Sequence, residues 1–195
     1  MPISSSPYVL AIGDSLTAGY GLPASASFAA RLQHLLRHQD PGATVRNAGV
    51  SGDTTEGGLR RLPRLLASLT RKPDLAIVEL GANDLLRGIP PERTRANLDA
   101  ILAQLGACGI PVLLATFEVP RFLSALAAGY DGMYAALAAK HGAALAPFFP
   151  QGVLGHPELV LRDRLHPNAR AIELVAEGFL PAVTAALSRG RAEAA

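Results

Sequence analysis

Tryptophan is absent from this 195-residue chain, cysteine occurs once, and aromatic residues make up only 5% of it. The lone thiol, Cys108, excludes an internal disulfide and any cysteine-based metal cluster, and it leaves the redox compartment open. Its Gly-Ala-Cys-Gly setting reads as a buried or helix-end thiol. No stretch approaches the ~20 apolar residues a membrane helix needs, so stable membrane insertion is not expected. Residues 1–7 lack the basic start of a signal peptide. Neither sign of charge dominates: 18 basic residues face 16 acidic ones, net +2, scattered along the chain. That gives no footprint for nucleic acid. The densest basic group, Arg60, Arg61, Arg64, Arg71 and Lys72, reads as a solvated helix face. Also missing are G-x-G-x-x-G and the P-loop, which disfavours a nucleotide binder, and the Gly-x-Ser-x-Gly elbow of α/β-hydrolases.

What is present is a soluble-domain composition, 49% hydrophobic and 17% charged, in a length that fits one domain over 1–195 with residues 1–7 and 189–195 as flexible ends. Tyr8-Val9-Leu10-Ala11-Ile12 is a short apolar run bounded by Ser/Pro and Gly, the pattern of a buried strand, and a tight turn opening a helix follows it. Further strands are expected at 44–47, 75–80, 111–116 and, weakly, 143–146. Helices are expected at 27–39, from the 48–55 cluster through Leu66 with a kink or break at Pro63, at 91–107, at 130–141 and at 168–187. Strands alternating with helices predict parallel pairing and a three-layer α/β/α sandwich around a mainly parallel five-stranded sheet.

Four segments carry chemistry. Gly13-Asp14-Ser15-Leu16 puts a hydroxyl at the carboxyl end of the first strand, where a nucleophile and free helix-start N–H groups can coincide. Alone, Ser15 reads more readily as a helix cap after a turn. Asn47-Ala48-Gly49-Val50-Ser51-Gly52 and Gly81-Ala82-Asn83-Asp84 follow the next strands, and Asp163-Arg164-Leu165-His166-Pro167 supplies a carboxylate three residues before an imidazole. Acyl transfer needs a nucleophile, a base, an acid to orient the base, and donors for the oxyanion.

With these blocks in this order from Ile12 to about Asn168, the chain resembles the SGNH (GDSL-type) hydrolases, most of all the bacterial thioesterase I / protease I / lysophospholipase L1 group and its arylesterase relatives. The resemblance implies Ser15 as nucleophile, His166 as base and Asp163 as its orienting acid. It also implies an oxyanion hole from the N–H groups of Ser15 and Gly49 and the side-chain amide of Asn83. Asp14, Leu86, Ile89, Glu118, Pro120, Phe122 and Leu165 are candidate substrate contacts, Asp14 also reading as a structural cap of its turn. The implied substrates are small esters or acyl thioesters of short to medium chain, with lysophospholipids as a further possibility; no metal or organic cofactor is implied. An acetyl-carbohydrate esterase and a non-catalytic binding domain of the same fold are the alternatives. The resemblance implies a periplasmic or secreted protein, with the cytoplasm as alternative, and leaves open a monomer or weak dimer.

Other candidates read blandly. His34 and His38 are one helical turn apart without a third metal ligand. His141 reads as a helix C-terminal cap, Asp84 as a cap pairing with Arg87, and His156 as the rival of His166 without a matching carboxylate. The apolar loops 118–126 and 147–154 read either as core packing or as an acyl groove.

Overall fold

The structure, a computed structural model, describes residues 6–117 and 127–193. Five strands, β1 (Tyr8–Gly13), β2 (Thr44–Gly49), β3 (Leu75–Glu79), β4 (Val112–Thr116) and β5 (Ala144–Pro147), form one parallel sheet in the order β2-β1-β3-β4-β5. The α/β/α sandwich expected from the sequence is the fold found. Strand periodicity explains the layers, because successive side chains point to opposite faces. Val9, Leu75, Ile77, Leu113 and Ala115 join one core with α2 (Phe28–Arg37) and α7 (Ala169–Glu193). Leu10, Ile12, Ala76, Val78 and Leu114 join the other, with α3 (Thr55–Ala67), α5 (Pro91–Ala107) and α6 (Met133–His141). Two short helices, α1 (Ser15–Ala18) and α4 (Ala82–Leu86), follow β1 and β3 directly at the carboxyl edge of the sheet.

Several boundaries differ from expectation for physical reasons. Helix α3 runs unbroken past Pro63, whose exposed position leaves the carbonyl it deprives of a partner open to water. Helix α6 starts at Met133, after a 3-10 turn over Ala128–Tyr130. Helix α7 continues through 189–193, so that stretch is helical and not a loose end. Residues 6 and 7 are tied down as well: Ser6 Oγ donates to Asp40 and the Pro7 carbonyl accepts from Thr44.

Contrary to the expectation that nothing reaches membrane-spanning length, α7 does so over Ala169–Gly190, with mean hydropathy 1.4. Alanines raise that value, and Ile172, Val175, Phe179 and Val183 are spent on the protein's own core, each at most 1% exposed. Cys108 is exposed at the carboxyl end of α5, just before β4. Loop 147–154 resolves as core packing: Phe148 and Phe149 are buried, and Phe148 packs tilted against Phe28 and edge-on against Phe179.

Candidate active site

The strand order turns around β1, with β2 on one side and β3 on the other. Crevices of open α/β sheets lie at such a reversal, outside the carboxyl ends of the strands. Ser15 opens α1 at that point. Asp14 caps the turn: its Oδ1 accepts from the Leu16 N–H at 2.9 Å, and its Oδ2 accepts from Asn83 Nδ2 at 2.8 Å. Below it Glu79, the last residue of β3, accepts from Thr17 Oγ1 at 2.8 Å and from the Asp14 N–H at 3.4 Å. Asp14 and Glu79 are 1% and 3% exposed, so neither reaches a substrate. Burial raises the pKa of both carboxyls, and the neighbouring Asp14 charge helps push that of Glu79 well above the usual range. The candidate role of Asp14 as a substrate contact is therefore corrected: its two oxygens hold the nucleophile turn and the Asn83 amide in one unit.

The base comes from the other end of the chain. Residues 159–168 fold back on themselves, with Leu161 N–H donating to the His166 carbonyl and Asn168 N–H to the Leu159 carbonyl. Arg164 sits at the tip with φ 58°, a left-handed conformation that tightens the turn. Asp163 Oδ1 then accepts from the Leu165 and His166 N–H groups, both at 3.0 Å, while Oδ2 lies 2.7 Å from His166 Nδ1. The Leu165 amide, followed by the His166 ring and amide, lowers the Asp163 pKa to about 2. A carboxylate that stays ionised can only accept, so Nδ1 carries the ring proton and Nε2 is free. Nε2 stands 3.1 Å from Ser15 Oγ, across 151 residues of sequence. The structure thus brings Ser15, His166 and Asp163 into one hydrogen-bonded line.

The oxyanion donors are brought together only in part. The Ser15 N–H has no partner among the described residues, and Asn83, with one amide hydrogen on Asp14, retains the other. Gly49 differs from expectation, because its N–H donates to Asn47 Oδ1 at 2.9 Å and is already used. Its lack of a side chain has another cause: a Cβ there would run into the backbone of Thr17 and Ala18. Three residues on, the Gly52 N–H is without a partner among the described residues, and the Gly52 carbonyl accepts from Arg87 Nη2 at 2.7 Å, which ties this loop to the end of α4.

Of the remaining candidates, Leu86 and Leu165 are 51% and 56% exposed on the Asn83 and His166 loops. Ile89 is half-buried, its backbone bonded to Asp84 and Tyr130. Glu118, Pro120 and Phe122 lie outside the described residues. Asp84 does not pair with Arg87; buried, it accepts from the backbone and hydroxyl of Thr55 and from Thr94, joining α3, α4 and α5. His141, in the last turn of α6, places Nε2 2.7 Å from Asp99 Oδ1, a side-chain hydrogen bond beyond a plain cap. His156 accepts from the Glu158 amide in an exposed loop. His34 and His38 face each other at 3.4 Å, and no group of three potential metal ligands exists among the described residues.

Four residues escaped the sequence reading. Glu79 ends an apolar strand, and a charge inside a buried run was the signal for it. Arg61 is not part of a solvated face: it donates to Asp53 at 2.7 Å, to the Ala48 carbonyl at 2.7 Å and to the Gly13 carbonyl at 3.1 Å, clamping the ends of β1 and β2. Nothing local marks it. Gly52 lay inside a block already singled out. Tyr20 stacks on the His166 ring with centroids 4.3 Å apart, a contact that no spacing announces.

Residues 11–173 match the model of the GDSL-like lipase/acylhydrolase family. An arylesterase of Vibrio mimicus is 38% identical over 174 residues, covering 89% of this chain and 86% of its own length. Thioesterase 1/protease 1/lysophospholipase L1 of Escherichia coli K12 is 36% identical over 170 residues, covering 87% and 79%. Among solved structures, AlinE4, an SGNH-hydrolase family esterase, superimposes with a TM-score of 0.77 at 46% identity, over 93% of this chain and 97% of that one. Sequence and fold therefore agree that the chain belongs to the GDSL-like lipase/acylhydrolase family, the SGNH hydrolases.

Proposed function

We propose that this enzyme, a serine esterase and thioesterase of the SGNH type, cleaves apolar esters and acyl thioesters of short to medium chain length through an acyl-Ser15 intermediate, with residues 1–195 acting as one catalytic domain. The observation that carries the reading is the line Asp163 Oδ2, His166, Ser15 Oγ, with contacts of 2.7 and 3.1 Å. His166 Nε2 takes the Ser15 proton as Oγ attacks the acyl carbon. The oxyanion is held by the Ser15 N–H, the Gly52 N–H and the free amide hydrogen of Asn83, donors fixed before the charge develops. The imidazolium, balanced by ionised Asp163, gives its proton to the departing oxygen or sulfur. Water then repeats the sequence on the acyl-enzyme. No step calls for a metal or organic cofactor.

Substrate class follows from the rim. Of the five large hydrophobic residues exposed among the described residues, Tyr20, Val50, Leu86 and Leu165 lie on the segments that carry Ser15, Gly52, Asn83 and His166. Exposed apolar side chains on those segments favour apolar or amphipathic substrates over sugars. We assign the acyl side to a cavity of about 400 Å³ beyond β4, lined by Phe117, Tyr130, Tyr134 and Leu145. Tyr134 reaches the Asn83 loop by donating to the Leu80 carbonyl at 2.8 Å. The names of the Vibrio and E. coli relatives, arylesterase and thioesterase/lysophospholipase, fit this range. An exported, periplasmic enzyme is proposed on the same kinship, and cell fractionation tests it.

The test of the mechanism is covalent. A fluorophosphonate should add once to the wild type, on the peptide carrying Ser15. Ser15→Ala should take up none and lose ~10⁴-fold or more in p-nitrophenyl ester turnover without loss of fold. A wild type that stays unlabelled, or an active Ser15→Ala variant, overturns the reading.

A further inference from the structure

Tyr20, named above only as an exposed apolar residue, takes no part in the proton transfers, yet it touches both ends of the proton path. Its N–H donates to the Ser15 carbonyl at 3.1 Å, and its ring lies on the His166 ring, centroids 4.3 Å apart and planes inclined by 36°. The chain holds it there from both sides. Gly19 and Gly21 have φ of 84° and 71°, and a side chain on the first would press on Ser27, which caps α2, and on the second on Leu161 of the His166 loop. The Tyr20 hydroxyl makes no hydrogen bond to the described residues, so packing of the ring and not a polar anchor defines its place. Half of the residue, 50%, remains exposed.

We propose that Tyr20 is the wall of a leaving-group subsite and sets a preference for aromatic leaving groups. The reasoning rests on the acyl-Ser15 reading above. His166 Nε2 must give its proton to the departing atom, so the leaving group is next to the imidazole when the bond to the acyl carbon breaks. The ring flanking that imidazole is Tyr20, with free surface to offer. A phenyl leaving group gains an offset or edge-to-face contact with Tyr20 that a saturated ring of similar size does not.

The experiment uses phenyl butyrate and cyclohexyl butyrate with wild type, Tyr20→Phe and Tyr20→Leu. Both esters pass through the same butyryl-Ser15, so a difference in kcat/KM isolates departure of the alcohol. Tyr20→Leu should lower kcat/KM for the phenyl ester about fivefold more than for the cyclohexyl ester, the size of one aromatic contact. Tyr20→Phe should keep the wild-type ratio. Equal losses on the two esters, no loss at all, or a Phe variant that behaves like Leu overturns the proposal. Should Tyr20→Leu fail to fold, the wild type alone decides: phenol should inhibit more strongly than cyclohexanol, and equal inhibition overturns the subsite. Ser15→Ala separates the two levels. Turnover that survives it defeats the acyl-Ser15 reading, whereas turnover lost there with an unmoved ester ratio defeats Tyr20 alone.

Discussion

The nucleophile and the base are built in opposite ways. Around Ser15 the supporting groups are buried and come from far apart in the chain: Asp14 bonds Asn83, Thr17 bonds Glu79, and Arg61 bonds the end of β1. Around His166 they are exposed and local, since Asp163 is three residues away and its bonds close a single turn. Hydroxyl and oxyanion donors thus ride on the sheet, while the imidazole rides on a hairpin stiffened from within. Damage to the first region should cost both fold and rate; damage to the second should cost rate alone.

The largest effect tests the hairpin. Asp163→Asn removes the charge that fixes the ring tautomer, and kcat should fall by on the order of 10⁴. The melting temperature at neutral pH should hardly move, because the side chain is exposed; a fall of many degrees would erase the contrast. Asn83→Ala should lower kcat by about 10²–10³ through loss of one oxyanion donor. It should also lower stability by ~1–3 kcal/mol, since Asp14 Oδ2 is left buried without its donor. Urea unfolding measures that second part, and an unchanged midpoint would mean that the buried network is not structural.

The two regions also titrate in opposite directions. Glu79 has a raised folded pKa, so the folded state holds more protons than the unfolded one above the ordinary value of 4.5. Its contribution is fully present below that pH and is lost as pH rises toward the folded value. Glu79→Gln keeps the acceptor for Thr17 and should flatten the decline of melting temperature above pH ~4.5. Asp163, held at about 2, is exposed, so solvent screening leaves its titration little weight in stability; what weight it has is present above the usual carboxylate range and is lost as pH falls through about 2. The smallest effect belongs to the strained tip. Arg164→Gly relieves a left-handed backbone and should raise stability by ~1 kcal/mol, with kcat within a factor of about two. A loss of stability there would show that the arginine side chain, not the backbone, holds the turn.

How much of this was legible in the sequence follows the same division. The sheet announced itself because buried parallel strands are continuous apolar runs, as in Leu75-Ala76-Ile77-Val78, and the helices because Leu98, Ile101, Leu102 and Leu105 share a face. The Asp163–His166 pair was legible because the two residues lie three apart in a block that the family resemblance carries; the turn that folds around them was not. The buried network was not. That Arg61 belongs to Gly13 and Ala48, or Asp84 to Thr55 and Thr94, depends on how strands from distant parts of the chain fall beside one another, which no local pattern encodes. The Gly49 donor failed for a related reason. A glycine in the right loop can serve close packing as readily as catalysis, and only the position of Asn47 Oδ1 tells which.

The exposed Cys108 has a practical consequence. All five strands run the same way, so a thiol just ahead of β4 lies at the amino edge of the sheet and Ser15 at the carboxyl edge. A maleimide dye or a resin attached through that sulfur would grip the molecule from behind and leave its working end facing the solution.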